Sequence, residues 1–172
     1  MKFQNCADSH VPYLLDLINF FKNDTECKEA FGKNILIKSE YRGMDESSQK
    51  TPGLWIIPLE TKAKDVKVLH DCRSLMKHRF LVCVVVKCPR NTVDHFDISE
   101  DDDGCYLLGP FMNASYLLKK VRDKVQCAYE EYEKQAKRDC CYSRPQLTDI
   151  VEPDELNGVL HICHIYETTF SY

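Results

Sequence analysis

Two short stretches of the chain combine residue types that ligate zinc or act as nucleophiles. Cys140 and Cys141 are adjacent, and His161, Cys163 and His164 lie close together further along the chain. Four thiolates or imidazoles complete a zinc site, and a thiol beside an imidazole can become a nucleophile. In an extended strand His161 and Cys163 point to one face and His164 to the other, so only two of these three can converge. Because the chain has no C-x₂-C pair, buried cysteines with hydrogen-bonded histidines are the simpler interpretation. Cys163 with His161 is the best pair for a thiol enzyme.

An acidic segment at 94–103 is the second candidate for chemistry. Asp97, Asp101 and Asp103 are among its carboxylates, and such oxygens bind hard cations such as Ca²⁺ or Mg²⁺. Their spacing does not follow the EF-hand pattern, so a solvated acidic hairpin, or a dock for a basic partner, is simpler. Ser99 is followed by Glu-Asp-Asp, which resembles a substrate for an acid-directed kinase. Because neither the cysteine–histidine set nor this acidic segment follows a known metal-binding pattern, we expect no cofactor.

A basic cluster could contact phosphates. It consists of Lys119, Lys120, Arg122 and Lys124. Glutamates follow within two turns of the same helix, and the net charge is −4 with a pI of about 5.9, so bulk attraction to nucleic acid is not supported. A solvated helix face is the simpler interpretation, and a nucleic-acid-binding accessory protein remains an alternative. No phosphate loop, dinucleotide fingerprint or nucleophile elbow is present.

Apolar and aromatic side chains form the remaining candidate surface. The segment 11–22 has the periodicity of a helix with an unusually wide apolar face, which must be buried in this fold or against a partner. Pro58 removes a backbone donor from the apolar run 54–59, which favours an edge strand or one that ends there. The residues that we expect to contact a protein partner are Tyr13, Leu17, Phe20, Trp55, Phe170 and Tyr172.

Apolar periodicity also predicts the order of the elements. Helices are expected at 11–22, 25–31, 64–78 and 114–138, and strands at 35–41, 54–59, 80–86, 105–108 and 159–166. The segments 42–53 and 139–157 are polar or rich in proline, which is typical of loops. Asn113 is the expected N-cap of the long helix, with Met112 and Leu117 as a hydrophobic staple. Its buried face is expected to contain Leu117, Val121, Val125, Ala128, Tyr132 and Ala136.

The order of these elements predicts an α+β fold. Two successive strand–strand–helix blocks favour a mixed or antiparallel sheet of about five strands with helices packed on it. A length of 172 residues favours one domain spanning 1–172. Its helical N-terminal segment, 1–32, is expected to pack on the sheet or on a partner.

Ten cysteines raise the question of redox state. The N-terminus has no apolar core of a signal peptide, and no apolar run approaches the ~20 residues of a membrane span. We therefore expect reduced thiols and a cytoplasmic or nuclear protein that is not secreted and does not enter a membrane.

No catalytic constellation stands out, so the sequence favours a non-enzymatic protein–protein interaction or assembly subunit. It would bind a protein partner or itself, and it could belong to a viral particle, although no residue indicates a virus. A small cytosolic thiol- or metal-dependent enzyme is the alternative from a different class, and it requires a pocket at Cys163 and His161 or at the acidic segment.

Overall fold

A computed structural model describes residues 11–38, 51–63, 75–88, 98–100, 102–104, 106–135, 141–156 and 158–171. Within these ranges the chain forms a mixed sheet with helices packed on it, so the predicted α+β class is confirmed. The helices are α1 (Val11–Asn23), α2 (Thr25–Phe31) and α3 (Pro110–Gln135). The strands are β1 (Ile35–Ile37), β2 (Gly53–Ala63), β3 (Leu75–Lys87), β4 (Ile98–Glu100), β5 (Tyr106–Leu108), β6 (Cys141–Tyr142), β7 (Gln146–Leu156) and β8 (Val159–Ser171).

The main sheet has the order β1-β2-β3-β8, and β6 and β7 both pair with the outer side of β8. β1 is parallel to β2, whereas the other pairs are antiparallel. β4 and β5 form a separate hairpin. The predicted strand at 105–108 therefore exists over Tyr106–Leu108, but it pairs with β4 and not with the apolar strand that precedes it.

β3 and β8 form the centre of the sheet because both of their faces are apolar. Even-numbered side chains of β3, such as Val82 and Val84, are buried in the large cluster beneath the helices. Odd-numbered ones, such as Cys83 and Val85, are buried in a second cluster on the opposite face. We call these sides the helix face and the second face. A strand with two buried faces was predicted from its unbroken run of β-branched residues, and the burial confirms it.

α1 lies on the helix face and buries its wide apolar side within this chain. Tyr13 and Leu17 are in the core, and Phe20 packs partly buried against it. Trp55 is also buried, in the second-face cluster. The prediction that Tyr13, Leu17 and Trp55 contact a partner is therefore wrong: the sheet supplies the apolar surface that α1 needs.

α2 is closed at both ends, by a side chain at its start and by a glycine at its end. The Asp24 carboxylate caps the helix by accepting the Cys27 backbone N–H at 3.0 Å. At the other end Gly32, with a positive φ of 55°, donates its N–H to the Lys28 carbonyl oxygen at 2.9 Å.

α3 begins earlier than predicted. Its first residue is Pro110, which suits the first helical position because the missing N–H has no partner there. The Asn113 N–H already donates to the Gly109 carbonyl oxygen at 2.9 Å, so Asn113 is inside the helix and is not its N-cap. Because the helix begins at Pro110, Met112 and Leu117 do not occupy the two positions of a hydrophobic staple, and that prediction is also wrong. The buried face consists of Ala114, Leu118, Val121, Val125 and Ala128, and the side chain of Tyr132 and residue Ala136 lie outside the described structure.

Three other predictions of local structure need correction. β3 begins at Leu75, so the predicted helix 64–78 is wrong over its last turn, and residues 64–74 lie outside the described ranges. The segment predicted as the loop 139–157 contains β6 and β7, because β8 supplies the hydrogen bonds that a local pattern cannot reveal. β2 is not an edge strand where it is most apolar, since β1 pairs with it from Leu54 to Ile56.

Candidate interaction site at the β7 edge

β7 is an edge strand that exposes large apolar side chains. Among the residues that the structure describes, it pairs only with β8. Ile150 is 61% exposed and Leu147 is 39% exposed. A long edge strand with apolar side chains is a template for association with another chain.

The pairing register places these two side chains on the helix face. Leu147 lies opposite Tyr166, and Ile150 lies opposite His164. Residues directly opposite in an antiparallel pair share a face, and Tyr166 belongs to the helix-face core. α3 packs across β3 and β8, and Leu147 and Ile150 remain exposed beside it. We give the name β7 shelf to the exposed Leu147 and Ile150 together with Gln126, His164 and the fully buried Tyr166.

Three polar atoms of the β7 shelf are buried without a hydrogen-bond partner: Gln126 Oε1, His164 Nδ1 and the Tyr166 hydroxyl oxygen. Burial raises the pKa of Tyr166, and burial together with the Arg122 guanidinium lowers the pKa of His164. Both groups are therefore held neutral. An unsatisfied buried polar group costs about 1–3 kcal/mol, so the shelf contains hydrogen-bonding capacity that the fold does not use.

Polar contacts fix the chain that leads into β7. The Gln126 Nε2 amide donates to the Pro145 carbonyl oxygen at 3.0 Å, and Arg144 forms an ion pair of 2.9 Å with Glu130 of α3. The Thr168 hydroxyl donates to the Ser143 carbonyl oxygen at 2.6 Å. α3 and β8 together therefore hold the start of the edge strand in place.

The chain matches no family model and no curated protein. The shelf was also not predicted from the sequence, since Leu147 and Ile150 lie in the segment expected to be a loop. The available signal was Leu147-Thr148-Asp149-Ile150-Val151, a short run with β-branched residues between two prolines.

The predicted thiol and zinc residues are separated by the fold. Cys163 forms a disulfide bond with Cys83 on the neighbouring strand. Its sulfur is thereby occupied, and the expectation of reduced thiols is wrong for this pair. His161 shares the second face with Cys163, and its ring lies 5.3 Å from the Trp55 ring between centroids. Disulfides are typical of oxidising compartments. Reduced thiols therefore no longer support a location in the cytoplasm or nucleus, and that location stays a prediction.

The remaining residues of the zinc set and the acidic segment are only partly described. Cys140, Asp97 and Asp101 lie outside the described ranges, as does the side chain of Cys141. Asp103 is exposed, and Ser99 lies in β4 with its side chain outside the description. Within the described residues no three His, Cys, Asp or Glu side chains form a group able to hold a metal ion.

The basic cluster of α3 is partly neutralised by neighbouring carboxylates. Lys124 Nζ lies 2.7 Å from Asp24 Oδ2 and 3.4 Å from Glu26 Oε2, which ties α3 to α2. The hydrogen bond to Asp24 is the main reason that the pKa of Lys124 is raised. Arg122 pairs with Asp123 at 3.4 Å, whereas Lys120 lies over the Tyr116 ring at 4.9 Å. Lys119 is exposed.

The remaining predictions concern a pocket, the aromatic residues near the C-terminus and the membrane. A concavity of the described surface lies between α2 and α3 beside Cys27, and neither His161 nor Cys163 lines it. Phe170 pairs with Met76 through the backbone, with its side chain outside the description, and Tyr172 is outside the described ranges. None of the described helices is long and apolar enough to cross a membrane.

Proposed function

We propose that the chain is a non-enzymatic assembly subunit that binds a protein partner at the β7 shelf. The observation that carries the proposal is Ile150, whose side chain is 61% exposed on the sheet face that is covered by helices elsewhere. Full burial of such an aliphatic side chain contributes about 1.5–3 kcal/mol, which a partner would recover on binding.

The composition of the shelf supports a protein as the ligand. An apolar centre surrounded by polar atoms is the usual anatomy of a protein interface. Leu147 and Ile150 supply the apolar centre, and the exposed Thr148 and Asp149 are polar residues between them in β7.

Charge argues against nucleic acid at this surface. β7 carries four acidic residues and no basic one, and phosphate backbones are bound by Lys and Arg. Arg122, whose charge acts on His164, is already paired with Asp123. Arg144, which precedes β7, is paired with Glu130. We therefore retain the protein-interaction hypothesis rather than the nucleic-acid one.

The test is site-specific photo-crosslinking of the full chain in its native cells. A photoreactive amino acid replaces Ile150 in one variant and the exposed Lys119 of α3 in a matched control. We expect covalent protein adducts from position 150 that the control does not give, and mass spectrometry identifies the attached peptide. Absence of any adduct specific to position 150, in a chain shown to be folded by circular dichroism, would contradict the proposal.

A further inference from the structure

The opposite edge of the same sheet also exposes apolar side chains. β1 is the first strand of the sheet, and in the described structure it pairs only with β2. Leu36 and Ile37 are 39% and 37% exposed. Ile37 lies opposite Ile56 of the helix-face core, so it shares the face of Leu147 and Ile150.

The two edges carry opposite charge. The segment 33–38 contains two lysines and no acidic residue, whereas β7 contains four acidic residues and no lysine or arginine. Lys33 is exposed, and so are Asp149 and Glu152 on the other edge. Complementary charge steers association and selects between possible partners.

We infer that the partner at the β7 shelf is a second copy of this chain, bound through its β1 edge. This inference rests on the proposed function and identifies its partner. Contact between two β7 edges would bring acidic residues against acidic residues, and contact between two β1 edges would bring lysines against lysines. Only the contact of β1 with β7 joins opposite charges.

The strand directions fix the geometry of this contact. β1 and β2 run in one direction, β3 in the other, β8 in the first again and β7 opposite to it. A second copy placed beside β7 in the same orientation therefore presents its β1 antiparallel to β7. The helices of both copies then lie on one side of a continuous sheet, and Ile37 of the second copy meets Leu147 and Ile150.

The regular part of β7 matches the length of β1. The register of β7 shifts between Leu147 and Asp149 and again between Val151 and Asp154, and Pro153 lies within the second shift. Bulges and prolines block pairing at a sheet edge, so the contact is confined to residues 149–151, which are as many residues as β1 contains. There the Ile150 N–H donates to its neighbour Asp149 Oδ1 at 2.8 Å. When β1 of a second copy pairs here, its carbonyl oxygen accepts the Ile150 N–H in place of Asp149 Oδ1. The Asp149 carboxylate is then able to pair with a lysine of the incoming β1 edge.

Such a contact is heterologous, because it joins two different surfaces. Each copy that binds leaves one β1 edge and one β7 edge open, so addition continues until a ring closes or a filament forms. The strand pair is short, so we expect association to depend on protein concentration and to weaken with salt.

The test uses two variants that each block one edge. The β1-edge variant is Lys33→Glu with Ile37→Glu, and the β7-edge variant is Leu147→Asp with Ile150→Asp. Both blocked edges are acidic, so they repel each other. Lys119→Glu on α3 is the control, and its change of charge equals that of the β7-edge variant. Solution mass is measured by size-exclusion chromatography with light scattering, at low ionic strength and again in about 0.5 M salt.

We expect the wild type and the control to form salt-sensitive oligomers, and each blocked variant alone to be a monomer of 20.0 kDa. Mixing the two blocked variants should give a species of twice that mass and nothing larger, because one productive pair of edges remains. If a double variant is not folded, the single variants Ile37→Glu and Ile150→Asp replace it.

Three results would overturn the inference: a monomeric wild type, a self-associating β1-edge variant, or a mixture that stays monomeric while the wild type is an oligomer. An adduct from position 150 to a different protein would also overturn it while leaving the proposed function intact. Absence of any adduct would reject both.

Discussion

At the scale of single residues, the β7 shelf combines exposed carbon with unused hydrogen-bonding atoms. Leu147 and Ile150 lie directly opposite Tyr166 and His164, whose hydroxyl oxygen and Nδ1 atom are buried without a hydrogen-bond partner. A partner that docks on this surface therefore contacts the exposed apolar side chains and not the buried polar atoms. We expect Ile150, which is 61% exposed, to provide most of the binding energy.

His164 should make the stability of the fold depend on pH. Burial lowers the pKa of His164 below its ordinary value of 6.5, and the positive charge of Arg122, which is paired with Asp123, lowers it further. The unfolded chain then binds a proton before the folded chain does, so the free energy of unfolding falls as the pH drops below 6.5. Chemical denaturation between neutral pH and about pH 5 measures this fall. We expect a smaller fall for His164→Gln, and equal slopes for the two proteins would contradict the assignment.

Sequence reasoning predicted residue geometry better than residue roles. Side chains alternate between the two faces of a strand, so the sequence predicted that His161 and Cys163 share one face and that His164 lies on the other. The structure confirms this arrangement. The bond from Cys163 to Cys83 could not be predicted, because it depends on which strand lies next to β8. For the same reason Tyr13 and Trp55 were expected at an interface and are in the core.

At the scale of elements, the β7–β8 hairpin depends on a glycine. Gly158 has a φ of 81°, and its carbonyl oxygen accepts the Cys88 N–H at 2.7 Å. A Cβ at this position would lie 3.2 Å from the Cys88 carbonyl oxygen, which is a backbone atom. Gly32, at the end of α2, also has a positive φ, but a Cβ there would meet no atom within 4 Å.

Substitution of these two glycines should separate backbone strain from steric contact. We expect Gly32→Ala to lower the free energy of unfolding by about 1 kcal/mol, through strain alone. Gly158→Ala should cost about 2–3 kcal/mol, because the contact with Cys88 adds to the strain. Urea denaturation of both variants measures the difference, and a Gly158→Ala cost no larger than that of Gly32→Ala would show that the backbone near Cys88 can move.

Strongly periodic elements were predictable and β7 was not. α1, α2 and the run Phe80–Val86 carry their structure in their own apolar pattern, and each is present. β7 is interrupted by two register shifts and contains Pro153, so its local pattern is that of a loop. It becomes a strand because β8 offers an unpaired edge, which is a property of the sheet and not of the segment.

At the scale of the whole molecule, a covalent bond joins the two central strands. Cys83 and Cys163 are 80 residues apart in sequence and lie directly opposite in the pairing of β3 with β8. A disulfide that closes so long a loop typically stabilises a protein by about 2–4 kcal/mol, chiefly through the unfolded chain. We therefore expect Cys83→Ala with Cys163→Ala to lower the free energy of unfolding by about this amount.

Denaturation under non-reducing conditions measures that loss, and Cys127→Ser, at an exposed free cysteine, is the control that should change stability little. Peptide mapping without reductant gives an independent readout, since the peptides that contain Cys83 and Cys163 should be linked. Recovery of both as unlinked, alkylated peptides from the native protein would reject the bond.

The position of β8 between β3 and β7 also orders events during synthesis. Leu75 at the start of β3 pairs with Ser171, so the centre of the sheet consists of contacts between residues distant in sequence. Contacts of this kind form slowly, because a long loop must close before they are gained. Until residues 159–171 leave the ribosome, β3 has an open apolar edge, and β7 has no strand to hold it. If copies associate through β7 as we propose, a nascent chain cannot recruit another copy before its own sheet is complete, and folding then precedes assembly.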